Sequence, residues 1–77
     1  MSTQLTLPIM PISFVLNGEA RSAQEGETIL DLLRALEIAP EQVAVEFDRR
    51  IVKQPEWSAT KLREGAQVEI VQFVGGG

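Results

Sequence analysis

Cysteine, histidine and tyrosine are all missing from the chain, and each absence closes off a class of chemistry. Without thiols there is no disulfide, no cysteine zinc site and no iron–sulfur ligation. Without histidine the commonest general base and the commonest transition-metal ligand are gone. Positive charge is also scarce, with seven basic residues against eleven acidic ones and a net charge of −4. Beyond Arg49-Arg50 there is no basic cluster, so the chain has the wrong sign for a nucleic-acid backbone or an anionic membrane surface. No apolar run approaches the ~18–20 residues that span a bilayer. The first eleven residues, MSTQLTLPIMP, lack a positive start and are broken by Pro8 and Pro11, so they do not read as a signal peptide, and the expected location is the cytoplasm. A single domain of this length buries about 60% of its unfolded surface and leaves little room for an internal active site.

The familiar catalytic motifs are absent too. GEAR at Gly18 and GETI at Gly26 lack the second glycine and the lysine of a phosphate-binding loop, and there is no nucleophile elbow and no HExxH. Carboxylate pairs such as Glu25/Glu27 and Glu41/Glu46 fall on loops or solvent faces, where they read as solvation and not as acid–base machinery.

What is present is a run of alternating segments around one amphipathic stretch. Residues 1–11 are expected to be a flexible extension, since Pro8 and Pro11 cannot donate to a sheet ladder. Ile12, Phe14 and Leu16 alternate with Ser13, Val15 and Asn17 as a strand. Asn17-Gly18 suits a type I′ turn, which returns Glu19–Gln24 antiparallel as the second arm of a hairpin. After the Glu25-Gly26-Glu27 loop, Thr28 is placed to cap a helix reaching about Glu37, with Asp31 as the acidic partner in a variant capping box. Ile29, Leu32, Leu33 and Leu36 share one face of that helix. Pro40 is the expected stop.

Val43, Val45 and Phe47 then alternate as a third strand, Asp48-Arg49-Arg50 is a polar turn, and Ile51-Val52 is a short fourth strand. Gln54–Leu62 is an irregular connection in which the lone Trp57 is expected to cover the end of the core as a satellite cluster. Glu64-Gly65 turns the chain into a last strand, VEIVQFV, ahead of Gly75, Gly76 and Gly77. The order implies an α+β fold of the β-grasp, ubiquitin-like type: a mixed sheet of four to five strands with one helix packed across one face. The first and last strands are expected side by side and parallel at its centre. The domain should span residues 12–74, with 75–77 as a flexible glycine tail.

That tail is the one place where the sequence offers chemistry. Glycine loses the most backbone entropy on ordering and has no side chain to pack. With Val74, the tail could project roughly 13 Å from the sheet in extended form and thread a narrow channel in a partner. Taken alone, glycines at a terminus also read as a frayed end or a linker. A free carboxylate on Gly77 is ionised at neutral pH and a poor electrophile, so it would need activation. An ATP-using partner could form an acyl-adenylate, from which a sulfur nucleophile displaces AMP.

The segments FVLNGEA (Phe14–Ala20), TILDLLRAL (Thr28–Leu36), VAVEFDRRIV (Val43–Val52), Trp57, LREG (Leu62–Gly65) and VEIVQFVGGG (Val68–Gly77) together resemble the ThiS family of thiamin-biosynthesis sulfur carriers, over about residues 12–77. The eleven-residue extension departs from the family pattern. The resemblance implies a protein co-substrate and not an enzyme, with no bound cofactor of its own. It implies that Gly77 is the reactive C-terminus, with Gly75 and Gly76 as spacer. An E1-like adenylyltransferase of the ThiF type would activate Gly77 with ATP and Mg. A cysteine desulfurase or other persulfide donor would supply sulfur, and thiazole synthase of the ThiG type would receive it from the thiocarboxylate.

Alternation in the last strand adds a docking expectation. If Val68 and Ile70 face the helix, Val71 and Phe73 lie on the open face and, with Val74, are candidate partner anchors. Ordinary sheet-face exposure, or cover by the N-terminal extension, is the alternative. Other functions open at this point are a sulfur carrier for molybdopterin or thiolated tRNA, a ubiquitin-like modifier joined through Gly77, and a passive interaction module.

Overall fold

Asn17 and Gly18 take left-handed φ angles of 49° and 84°, the pair of values a type I′ turn needs. They join β1 (Pro11–Leu16) to β2 (Glu19–Gln24) in a register running from Leu16↔Glu19 to Pro11↔Gln24. The structure is a computed structural model that describes residues 10–73. Pro11 opens β1, one residue before the expected start, in the first position of a strand where a missing N–H is tolerated.

Thr28 caps α1 (Ile29–Ala35). Its Oγ1 accepts from the Asp31 N–H at 3.2 Å and the Asp31 carboxylate accepts from the Thr28 N–H at 2.9 Å, a reciprocal capping box that satisfies two backbone donors. The far end differs from expectation. The helix closes at Leu36, before Pro40 is reached, because Glu37 turns left-handed at φ 58°. Its N–H bonds Arg34 O at 3.1 Å, and the Ile38 N–H bonds Leu33 O at 3.0 Å. This Schellman pair consumes the last helical carbonyls. Pro40 instead starts a single 3-10 turn, Pro40–Gln42.

That turn leads into β3 (Val43–Phe47), the Asp48-Arg49 turn and β4 (Arg50–Val52). A second 3-10 turn, Gln54–Glu56, precedes β5 (Gln67–Gln72). The five strands are ordered β2-β1-β5-β3-β4, with β1 and β5 parallel and the other neighbours antiparallel. This is the mixed sheet expected, with the last strand at its centre.

One face of the sheet meets the helix. Phe14, Val45 and Val68 from the strands pack with Ile29 and Leu33 from α1 in the fully buried centre, ringed by Leu32, Val43, Phe47, Leu62 and Ala66. Each such large side chain stabilises the fold by about 1.5–3 kcal/mol relative to exposure. Trp57 is not a satellite. It sits in the same cluster at 2% exposure, because its indole N–H donates to Val52 O at 2.8 Å and so enters the core without leaving a polar atom unpaired. The connection around it is tied to the start of α1 by Ile29 N–H to Thr60 O at 2.9 Å and Leu30 N–H to Trp57 O at 3.3 Å. Among the described residues no helix is long and apolar enough to cross a membrane.

Candidate functional site

Because β5 is central, its two edges and two faces meet different neighbours. Towards β3, paired residues alternate between those that exchange hydrogen bonds and those that do not. Asp48 N–H bonds Gln67 O at 2.7 Å and Phe73 N–H bonds Gln42 O at 2.8 Å, so the odd-numbered residues of β5 direct their backbone groups at β3. The even-numbered residues direct theirs at β1.

The β1 side is shorter. Its ladder covers Val15↔Gln67 and Leu16↔Val68, and the last backbone bond is Asn17 N–H to Val68 O at 2.9 Å. There the chain turns away into β2. The Asn17 side chain then takes over: its amide donates to Ile70 O at 3.3 Å and its carbonyl accepts the Ile70 N–H at 2.8 Å. A side-chain amide carries the same donor and acceptor as a peptide group, so it continues the ladder by one more position.

At the opposite end of β5, Asp48 holds the strand's start. Its carboxylate accepts from the Gln67 N–H at 2.9 Å and pairs with the Arg63 guanidinium, which itself lies 5.1 Å from the centroid of the Phe47 ring. The Gln67 N–H, and then the Arg63 hydrogen bond and charge, hold the Asp48 carboxyl below its ordinary value of 3.8 against an opposing desolvation effect.

The face away from the helix carries the predicted docking residues. Val71 and Phe73 are 55% and 58% exposed, on the open side as the alternation requires, while Val68 is buried and Ile70 half-buried. Val74 and the glycines Gly75, Gly76 and Gly77 lie outside the described residues. Beside Phe73 a shallow cleft of about 310 Å³ runs over Val43, Ile51 and Trp57. A larger depression of about 850 Å³ lies at the other end of the sheet, around Phe47 and Arg63, away from Phe73.

Three features of this surface go beyond the sequence reading. The sequence marks Asn17 only as a turn former and Asp48 only as part of a polar turn. On the open face Glu46 of β3 stands directly opposite Glu69 of β5, with the exposed Ile51 on the other side of Glu46. Neither glutamate has a salt-bridge partner among the described residues, where the ion pair is Arg63–Asp48. The alternation of β3 and β5 in the sequence places both glutamates on the open face; that they are directly opposed depends on register. Among the described residues no group of three or more potential ligands is gathered to hold a metal ion.

With this geometry the chain can present its last strand, edged by β1 and β3, as a rigid base for whatever follows residue 73. Solved structures share the overall fold. A thiamine biosynthesis protein (ThiS) from Geobacter metallireducens, solved by crystallography, superposes with a TM-score of 0.70 at 30% identity, covering 86% of this chain and all of that one. A solution structure of a thiamine biosynthesis protein from the same organism gives 0.68, also at 30% identity, with 86% and 88% covered. Among curated proteins, a thiazole synthase of Magnetococcus marinus is 45% identical over 62 residues, and one of Paramagnetospirillum magneticum is 35% identical over 66. These matches take in 80% and 86% of this chain, which spans only about a fifth of the length of either relative. A sequence model of the ThiS family matches residues 14–77, from the middle of β1 through the final glycine, and on that match, with the fold to support it, this chain belongs to the ThiS family.

Proposed function

We propose that the chain is the sulfur carrier of thiazole formation in thiamin biosynthesis, acting in the cytoplasm as a protein co-substrate. The Gly77 carboxylate attacks the α-phosphate of ATP on an E1-like adenylyltransferase, with Mg held by that enzyme, and pyrophosphate leaves. A sulfur nucleophile then adds to the acyl carbon and AMP departs. With hydrosulfide the product is the thiocarboxylate directly. With a persulfide from a cysteine desulfurase system the first product is an acyl disulfide, which a second thiol cleaves to release the same thiocarboxylate. Thiazole synthase is the acceptor.

The observation that carries this reading is the family match running through Gly77. The curated thiazole synthases support the choice of acceptor, since each contains a stretch similar to this chain within a much longer polypeptide. The fold contributes a stiff central strand ahead of a tail whose glycines thread a narrow channel without side-chain clash. Val71 and Phe73, with Val74, serve as apolar anchors for the adenylyltransferase, beside the tail it must engage.

The test is the intact mass of the chain after incubation with its ThiF-type enzyme, Mg-ATP and sulfide. Exchange of one carboxylate oxygen for sulfur adds about 16 Da, confined to the C-terminal peptide. A gain that requires ATP and vanishes on deletion of Gly77 supports the carrier. Isopeptide adducts to lysine, with no such gain, would point to a protein modifier instead. Thiocarboxylate that forms yet fails to support thiazole synthesis would move the carrier to molybdopterin or tRNA thiolation.

A further inference from the structure

Gln72 is the last residue of β5 and the first to lose its neighbour on the β1 side. It sits opposite Val43 in a pair that exchanges no hydrogen bonds, because the bonded partners on either side are Val71 with Ala44 and Phe73 with Gln42. Its N–H and C=O therefore point away from β3. On the other side β1 has ended at Leu16, and the Asn17 amide that prolongs the ladder is spent on Ile70. Among the described residues neither backbone group of Gln72 has a partner, and the residue is exposed. In a sheet whose central strand is otherwise paired along both edges, this is one open position, one residue before Phe73 and five before Gly77.

We infer that this opening is a strand-addition site, filled by an extended segment of the enzyme that adenylates the tail; the inference rests on the function proposed above. Gly75, Gly76 and Gly77 have no side chains to read, so an enzyme gripping the tail must do so mainly through backbone N–H and C=O groups. Extending the sheet by one strand meets that need at its root, since an added strand satisfies alternate backbone groups along its whole length. Gln72 would give the enzyme's segment its first donor and acceptor, held in place because Asn17 and β3 fix the strand on either side. Phe73 and Val71, on the open face, would flank that contact with apolar area.

The backbone can be tested separately from the side chain. The chain is made by chemical synthesis with an N-methyl group on the Gln72 amide, and Gln72→Pro and Gln72→Ala are expressed beside the wild type. ATP–pyrophosphate exchange is followed with the ThiF-type adenylyltransferase at increasing chain concentration, and thermal melts report folding. Because the Gln72 N–H makes no bond to β3, the N-methyl chain should melt within a few degrees of wild type. Its KM should rise about tenfold with little change in kcat, as for one hydrogen bond lost at a desolvated contact. Gln72→Pro should follow it, and Gln72→Ala should stay within about twofold of wild type. An N-methyl chain with wild-type KM overturns the strand-addition site and leaves the carrier function standing, as does a Gln72→Ala effect equal to that of the N-methyl chain. A wild-type chain that supports no exchange overturns both readings.

Discussion

Asn17 and Ile70 are joined by two hydrogen bonds, from the Asn17 amide to Ile70 O at 3.3 Å and from the Ile70 N–H to the Asn17 side-chain carbonyl at 2.8 Å. The same residue shapes the β1–β2 turn through its φ of 49°. One side chain thus couples the hairpin to the central strand three residues before Phe73, where the backbone pairing of β1 has run out.

The two roles separate by substitution. Asn17→Gly keeps the left-handed turn and loses both side-chain bonds, so it should destabilise the domain by about 1–2 kcal/mol. Asn17→Ala loses the same bonds and, unlike glycine, keeps a Cβ in the left-handed region without the polar side chain that lets asparagine adopt it, adding about 1 kcal/mol over Asn17→Gly. Urea unfolding of the variants measures the difference, and amide exchange at Ile70 should accelerate in both. Equal stability of Asn17→Gly and wild type would mean that the side chain contributes only to the turn.

Much of the architecture is legible in the sequence because its signals are local. Alternation marks the strands, Asn17-Gly18 marks the hairpin, and Thr28 with Asp31 marks the start of the helix. The helix end is not legible, because a Schellman cap normally announces itself with glycine and here the left-handed position is Glu37. The place of Trp57 is hidden too, since its burial depends on Val52 O being within reach of its indole, a contact between separate segments. The exposure of Val71 and Phe73 follows from alternation alone. Asn17 on Ile70, Glu46 against Glu69 and Asp48 on Gln67 all depend on register between distant strands, which a single sequence does not encode locally.

Arg49 offers a stabilising change. It follows Asp48 in the turn between β3 and β4, and both are left-handed, at φ 71° and 51°. Type I′ turns favour glycine at the second position for this reason. Arg49→Gly should raise stability by roughly 1 kcal/mol, since strain in the left-handed region outweighs glycine's extra unfolded-state entropy. Urea unfolding would show it as a higher midpoint at unchanged slope, and a lower midpoint would mean that the Arg49 side chain has a stabilising contact that outweighs its strain.

Glu46 and Glu69 face one another across β3 and β5, and neither has a salt-bridge partner among the described residues. Like charges directly opposite destabilise a sheet by about 0.2–1 kcal/mol. Glu69→Thr, which removes one charge and adds a β-branched side chain, should therefore stabilise the isolated domain by an amount in that range. Added salt screens the repulsion, so the variant's advantage at low ionic strength should shrink as NaCl is raised. An advantage that does not depend on salt would assign it to β-propensity instead of charge.

Asp48 predicts the acid response. Its carboxyl is held below 3.8 in the folded chain, first by the Gln67 N–H and then by Arg63. A folded-state pKa that is depressed adds stability above the unfolded value, and that stability is lost as pH falls from about 3.8 through the lower folded value. Asp48→Asn isolates the charge, because an asparagine side chain keeps an acceptor for the Gln67 N–H and tolerates the left-handed backbone. The wild type should melt above Asp48→Asn at pH 7, and the gap should close below the folded pKa. A gap that persists undiminished in acid would remove the ionic contribution.

Phe73 separates binding from folding most directly. It is 58% exposed on the open face, and its backbone N–H already satisfies Gln42 O at 2.8 Å whatever side chain it carries. Phe73→Glu should therefore leave the melting temperature within a few degrees of wild type, since surface changes of this kind cost within about 0.5 kcal/mol. If the open face docks the adenylyltransferase as proposed above, the change puts a charge on an apolar anchor, and affinity should fall by at least about tenfold, as for an aromatic hot spot. Phe73→Leu should recover much of the loss, because it restores apolar area without the ring. Calorimetric titration of the three chains checks this order. Unchanged affinity for Phe73→Glu, with folding intact, would remove the open face from the docking surface and leave the exposure of Val71 and Phe73 as ordinary for a sheet with helix on one side only.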